Sequence, residues 1–347
     1  MIKKNLAAIL NKQKKDLLIL NLNVPTIPNG YVLVKMIYSG ICHTQLNEIS
    51  GILGKDKFMP HCMGHEGVGE IISLAKDIKG FKLRDRVVVS WIKKKIKKKI
   101  LPTFYTSNSK KINTGGCNTL LNYSLVTEDR IFKMNKKNIY SRESVFLGCA
   151  LPTASNAILN NSSINKKSKV LIMGMGGLGY ASLFVLNYLK CEDVTCIDIN
   201  LKKLNILKNQ KKTKFILINK EKLNEMIKNN KDKFDLIIDC TGSKKLIEKT
   251  FSLCKRFVGK FIMIGNTKVG EKISINAWDF IFGKTFTGAW GNGGTTMKNF
   301  KINEKILMSE INNIRKILPK KNYKITEINK ALNDFKTGKV LRPIIKF

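Results

Sequence analysis

The chain has 347 residues, too many for one ordinary domain and enough for two, and its 43% hydrophobic residues exclude a disordered chain. No apolar run nears the roughly 18 residues of a membrane span. The only apolar run near the start, Leu6-Ala-Ala-Ile-Leu10, is too short for a secretory signal, so a cytoplasmic protein is expected.

The net charge of +38 fits a polyanion partner, or the joint excess of Lys, Asn and Ile that an AT-rich coding sequence produces. Arg is scarce beside Lys and no nucleic-acid motif accompanies the charge, so no specific nucleic acid and no membrane partner is expected. The positive field should still attract anionic substrates and weaken as salt rises. The eight cysteines, without a signal segment, read as free thiols or metal ligands rather than disulfides.

In chain order, residues 16–24 and 31–38 alternate and carry β-branched and aromatic side chains. They predict two strands flanking the turn Pro25-Thr26-Ile27-Pro28-Asn29-Gly30. Residues 67–74 and 86–92 read alike, so the first 150 or so residues suggest a small β-barrel-like domain. Residues 93–99, Lys-Lys-Lys-Ile-Lys-Lys-Lys, read as a solvated basic loop or, with Ile92, Ile96 and Ile100, one amphipathic helix that binds anions. From residue 169 the pattern changes. Buried-strand runs at 169–174, 194–198, 215–218, 236–239 and 260–265 alternate with helical stretches, the first at 178–190. Repeated strand–helix units imply an α/β class with a doubly wound parallel sheet.

Gly174-Met-Gly176-Gly177-Leu-Gly179 fits G-x-G-x-x-G between a strand and a helix. Gly174 allows the tight turn, Gly176 lets backbone approach a pyrophosphate, and Gly179 lets helix pack on strand. Asp198, 19 residues past Gly179, ends the next strand, where a carboxylate accepts from both adenosine ribose hydroxyls and repels a 2′-phosphate. NAD is therefore expected over NADP, with Lys203 near the same ribose. All three histidines, His43, His61 and His65, lie close to Cys42 and Cys62. Such donors suit a zinc site with three protein ligands and an open position. Spacing alone does not choose among them.

Ser39-Gly-Ile-Cys42-His43-Thr44, Gly64-His65-Glu66-Gly67-Val-Gly69 and Leu147-Gly-Cys149-Ala-Leu-Pro-Thr153 resemble the three zinc-ligand motifs of the medium-chain zinc alcohol dehydrogenases. The Gly-rich turn with Asp198 and the ending Gly338-Lys-Val-Leu-Arg342-Pro fall in the same family order. The resemblance implies a β-rich GroES-like catalytic domain at 1–151, a Rossmann NAD-binding domain at 152–294, a return to the catalytic domain at 295–347, and an active site in the cleft between the domains. It assigns Cys42, His65 and Cys149 to the catalytic zinc and Glu66 to a place behind it. Thr44 would take the alcohol proton, Trp91 would line the substrate pocket, and Arg342 would contact the pyrophosphate. His61 and Cys62 become bystanders. A homodimer joined through residues 280–290 is also implied.

Three departures from the family pattern matter. Residues 85–120 hold only Cys117 where the family's structural zinc needs four cysteines, so one zinc per subunit is expected. Gln45 stands where the family has an Asp, which leaves His65 without a charged partner. Asn47 replaces a His of the proton relay, so proton release needs water or another route, and activity should rise with pH. The implied reaction is zinc-assisted hydride transfer between an alcohol, or its aldehyde or ketone, and NAD(H), with a substrate that the basic field allows to be anionic. Its rivals are an S-(hydroxymethyl)glutathione dehydrogenase, a zinc-free quinone or enone reductase on the same fold, and a non-catalytic polyanion-binding protein.

Overall fold

The computed structural model describes residues 4–93, 103–106, 110–135, 142–291 and 297–347. Most of the lysine-rich stretch at 93–99 lies outside the described residues. The chain divides into two compact units, one formed by residues 1–149 with 294–347 and the other by 150–293.

In the first unit, strands Leu6–Leu10, Leu18–Asn23, Thr103–Thr106, Lys111–Asn113 and His61–Cys62 close a barrel. Beside it a six-stranded sheet runs in the order Ile131–Lys133, Arg86–Ser90, Glu66–Leu74, Tyr31–Gly40, Ile344–Lys346, with Tyr123–Thr127 also paired to Tyr31–Gly40. The strands on either side of the Pro25–Gly30 turn thus belong to different sheets, and no hairpin joins them. The apolar run at Leu6–Leu10 is a strand with four of its five residues buried.

The long strand Tyr31–Gly40 organises this unit. It pairs antiparallel with Glu66–Leu74, Ser39 opposite Gly67, and with the chain's last strand, Gly40 opposite Ile344. Three segments far apart in sequence therefore end side by side. Alternating valines bury one face: Val32, Val34, Val87, Val89 and Val126 share a core with Met36 and Ile71.

The second unit carries a six-stranded, all-parallel sheet ordered Thr213–Leu217, Asp193–Asp198, Lys169–Met173, Leu236–Asp239, Lys260–Met263, Thr285–Gly288. By sequence this is 3-2-1-4-5-6, the dinucleotide-binding order. The inner strands read as largely apolar runs because helices cover a parallel sheet, whereas the edge strands Thr213–Leu217 and Thr285–Gly288 are only partly buried. Leu171, Ile237 and Phe261 sit in one core with Ile247 and Phe251 from the connecting segments. Residues 280–290, expected at a subunit edge, end the helix Ala277–Ile281 and supply Thr285–Gly288 at the sheet's edge. The first unit is β-rich and the second a doubly wound parallel sheet, the two architectures expected from the sequence.

Candidate metal centre and nucleotide turn

Cys42, His65 and Cys149 come from the ends of three elements of the first unit. Cys42 caps the helix His43–Ser50 just after Tyr31–Gly40, His65 precedes Glu66–Leu74, and Cys149 follows the 3-10 turn Glu143–Gly148. One donor atom from each lies within 4.8 Å of the others, and among the described residues this is the one such group able to hold a metal ion. Two thiols and an imidazole are a donor set suited to zinc.

Cys42 alone among the cysteines is shifted down. Cys149 hydrogen-bonds Cys42, and His65 and Arg342 add to this, holding Cys42 well below the usual thiol range. Cys149 is pushed correspondingly up, by that same bond and by burial. Cys62 shows burial alone and rises to about 12, the value of an inert thiol. His61 is engaged by Asp56 at 2.8 Å and by the Cys62 carbonyl at 3.0 Å.

Behind the donors, Glu66 is fully buried and ion-paired with Arg342. Glycines make its room: a Cβ at Gly40 would stand 2.6 Å from its Oε1, and one at Gly148 would stand 2.8 Å from its Cβ. Both glycines lie in the motifs that carry Cys42 and Cys149. The guanidinium expected at a cofactor pyrophosphate is thus bound, within its own unit, to the carboxylate of Glu66, and it also lies 4.9 Å from the Phe146 ring. Nothing in the sequence signals this pairing, because the partners are 276 positions apart.

Thr44 sits on the first turn of the helix with its hydroxyl 3.7 Å from the Cys42 sulfur. Gln45, the next residue of that turn, reaches Nδ1 of His65 at 2.7 Å. Its identity is plain from the motif, but the contact with His65 is not. Trp91 is half-buried at the end of Arg86–Ser90, and its carbonyl accepts from Arg130 at 2.7 Å.

In the second unit Gly174 turns the chain at φ 88°, Gly176 is the N-cap of the helix Gly177–Tyr188, and Gly177 opens it. A Cβ at Gly179 would stand 2.0 Å from the Gly174 carbonyl, whereas one at Gly176 would meet nothing within 4 Å. Asp198 is buried and accepts from the backbone of Met175 at 2.7 Å and of Asn200 at 2.8 Å. The Lys203 ammonium lies 4.0 Å away. A second tight turn, which no motif in the sequence marks, stands at the neighbouring strand end. Asp239 accepts from Thr241 and from the Gly242 N–H, and a Cβ at Gly242 would stand 2.1 Å from the Asn266 carbonyl.

Residues 28–136 match the alcohol dehydrogenase GroES-like domain family, and residues 177–304 match the zinc-binding dehydrogenase family. An S-(hydroxymethyl)glutathione dehydrogenase of Komagataella pastoris is 26% identical, covering 98% of this chain and 96% of its own. One from Escherichia coli (strain SMS-3-5) is 23% identical, covering 99% of this chain and all of its own. Benzyl alcohol dehydrogenase from Acinetobacter calcoaceticus shares the fold at a TM-score of 0.84, with 20% identity over the whole of both chains. 2R,3R-butanediol dehydrogenase from Bacillus subtilis does so at 0.77, with 17% identity over 99% of both. The order of the two matched domains and the shared fold agree, and the chain belongs to the zinc-containing alcohol dehydrogenases of the medium-chain dehydrogenase/reductase superfamily.

Proposed function

We propose that this protein is a zinc-dependent, NAD-linked dehydrogenase that interconverts an alcohol and its aldehyde or ketone. The observation that carries the reading is the convergence of Cys42, His65 and Cys149 to within 4.8 Å. A zinc-free reductase on the same fold would have no use for two buried thiols and an imidazole at one point.

Bound there, zinc would supply a Lewis acid at its open position and lower the pKa of a substrate hydroxyl. The chain's own residues supply the rest. Thr44, whose hydroxyl lies 3.7 Å from the Cys42 sulfur, would accept the proton that leaves the alcohol. Glu66 and Arg342 place a compensated charge pair behind the donors, so the centre gains a polar backing without a net buried charge. Trp91 would line the substrate pocket. Gly174, Gly176, Gly177 and Gly179 would seat the pyrophosphate at the helix N-terminus. Asp198 has both oxygens fixed by backbone N–H groups, which aims its remaining lone pairs at ribose hydroxyls and disfavours a 2′-phosphate.

A narrower reading, an S-(hydroxymethyl)glutathione dehydrogenase, is favoured by the curated relatives of that name, which align over nearly the full chain. The anionic adduct also suits a protein of charge +38. Against it stands the lack of the family's four-cysteine lobe in residues 85–120.

Elemental analysis of purified protein should find about one zinc per chain, and a strong chelator should abolish NADH production from alcohols. Cys149→Ala should drop both zinc content and turnover by at least about 100-fold. Full activity in metal-free protein would sink the reading.

A further inference from the structure

The Glu48 carboxylate has no side-chain hydrogen bond and no ion pair among the described residues. It is half-buried on the last turn of the helix His43–Ser50, the end at which the helix dipole disfavours a negative charge. Burial holds its carboxyl above the ordinary carboxylate range. His65 and His61 pull it down, and Asp56 and Cys42 push it up. Of these neighbours, His61 and Asp56 are committed to each other at 2.8 Å. A partly desolvated acid without a partner costs stability, and such groups gather where protons are exchanged.

The helix sets what this carboxylate reaches. Glu48 follows Thr44 by four residues, so the two share a face with Cβ atoms about 6 Å apart, and a helical side chain covers the turn before its own. With 3.6 residues per turn, Glu48 falls about 40° from Thr44 and about 60° from Gln45 around the axis. The Thr44 hydroxyl lies 3.7 Å from the Cys42 sulfur and Gln45 lies 2.7 Å from His65, so that face is turned to the donor cluster. Glu48 is not one of the cluster's donors. It stands one helical turn behind Thr44, a span that a direct hydrogen bond or one water closes.

We propose that Glu48 is the proton acceptor behind Thr44. As the alcohol O–H bond breaks and its proton joins the Thr44 oxygen, the proton that Thr44 already carried passes to a Glu48 carboxylate oxygen, directly or through one water, and then to solvent. The hydride goes to NAD, so the alcohol loses one proton and one hydride and nothing else is consumed. Aldehyde reduction runs the same path backwards. The proposal rests on the proposed function, in which Thr44 accepts the alcohol proton, and it supplies the route that Asn47, standing in place of a relay His, leaves open.

Single-turnover formation of NADH from a neutral alcohol, followed from about pH 6 to about pH 10 in zinc-loaded protein, tests it. Glu48→Gln should be slower at pH 7 by at least about tenfold, and the deficit should close toward pH 10, where hydroxide takes the proton instead. Glu48→Asp should recover part of the rate. Adding Glu48→Gln to Thr44→Val should cost less than about twofold more, since both changes cut one path. A Glu48→Gln protein with wild-type zinc content that follows the wild-type curve at every pH would overturn the inference. So would a deficit of the same size at every pH, the mark of a structural role. A wild type that holds no zinc or makes no NADH would sink the proposed function as well.

Carboxyl ¹³C spectra of the resting protein give a readout independent of turnover. The Glu48 signal, identified by its loss in Glu48→Gln or its shift in Glu48→Asp, should be that of an ionised carboxylate by pH 8. A carboxyl still protonated there could accept nothing, and the proposal would fall.

Discussion

Glu66 and Arg342 form a buried ion pair, with side chains 0% and 3% exposed, and a pair taken this far from water is costly to break from one side. Arg342→Met keeps much of the volume and the contact with Phe146 but strands the carboxylate. Its cost should be about 3–5 kcal/mol in urea unfolding near neutral pH. The pH dependence has a definite sign. Burial, opposed chiefly by Arg342, already holds the Glu66 carboxyl above the ordinary carboxylate range. An acid raised in the folded state contributes stability that is present below its unfolded pKa of about 4.3 and lost as pH rises through the folded value. Removing the guanidinium lifts the folded value further, so the variant's deficit should be smaller at pH 5 than at pH 8. An equal deficit at both would mean that Arg342 acts by packing alone.

At the scale of elements, the glycine turn separates two reasons for glycine. At Gly179 an added methyl would meet the Gly174 carbonyl at 2.0 Å, so Gly179→Ala must push the helix Gly177–Tyr188 off its strand. Overpacking of this kind costs about 1–3 kcal/mol, and the melting temperature should fall. At Gly176 the methyl meets nothing within 4 Å. Gly176→Ala should therefore melt like wild type yet bind NADH at least about tenfold more weakly, read by fluorescence titration, since its methyl would occupy the path of the pyrophosphate. Unchanged NADH affinity in Gly176→Ala would argue that no pyrophosphate lies there. This turn was legible in the sequence because its physics is local: strand, Gly spacing, helix and Asp198 fall within about 30 residues. Five of the six strands of the parallel sheet were legible too, as apolar runs, whereas the edge strand Thr285–Gly288 is short, mostly exposed or half-buried and carries no such run. The centre in the first unit was less so. Its donors lie within 4.8 Å because Tyr31–Gly40 pairs with Glu66–Leu74 and the turn Glu143–Gly148 packs beside them, and such pairing leaves no periodic mark. Spacing left Cys42, Cys62, His43, His61 and His65 equivalent. What separates them is geometry: His61 is engaged by Asp56, and Cys62 is buried among apolar side chains.

For the whole molecule, the charge is the property that composition states most loudly and the fold explains least. The 63 basic and 25 acidic residues give +38, and many of the lysines stand on exposed positions of both units. Some are spent locally, as Lys284 is between Asp232 and Asp279, 2.7 Å from each. Most face solvent, where attraction for an anion acts over about a Debye length, roughly 8 Å at physiological salt. Coding bias and substrate capture predict different behaviour. If the field serves capture, kcat/KM for S-(hydroxymethyl)glutathione at saturating NAD should fall by about tenfold between about 0.02 and 0.5 M salt, since steering of this kind is worth about 10-fold or more. A neutral primary alcohol measured alongside should change by less than about twofold, which controls for salt effects on the fold and on chemistry. Parallel curves for the two substrates would leave the charge without a role in substrate choice. They would also remove the electrostatic support for the narrower reading while leaving untouched the proposal of a zinc site at Cys42, His65 and Cys149, which rests on their convergence.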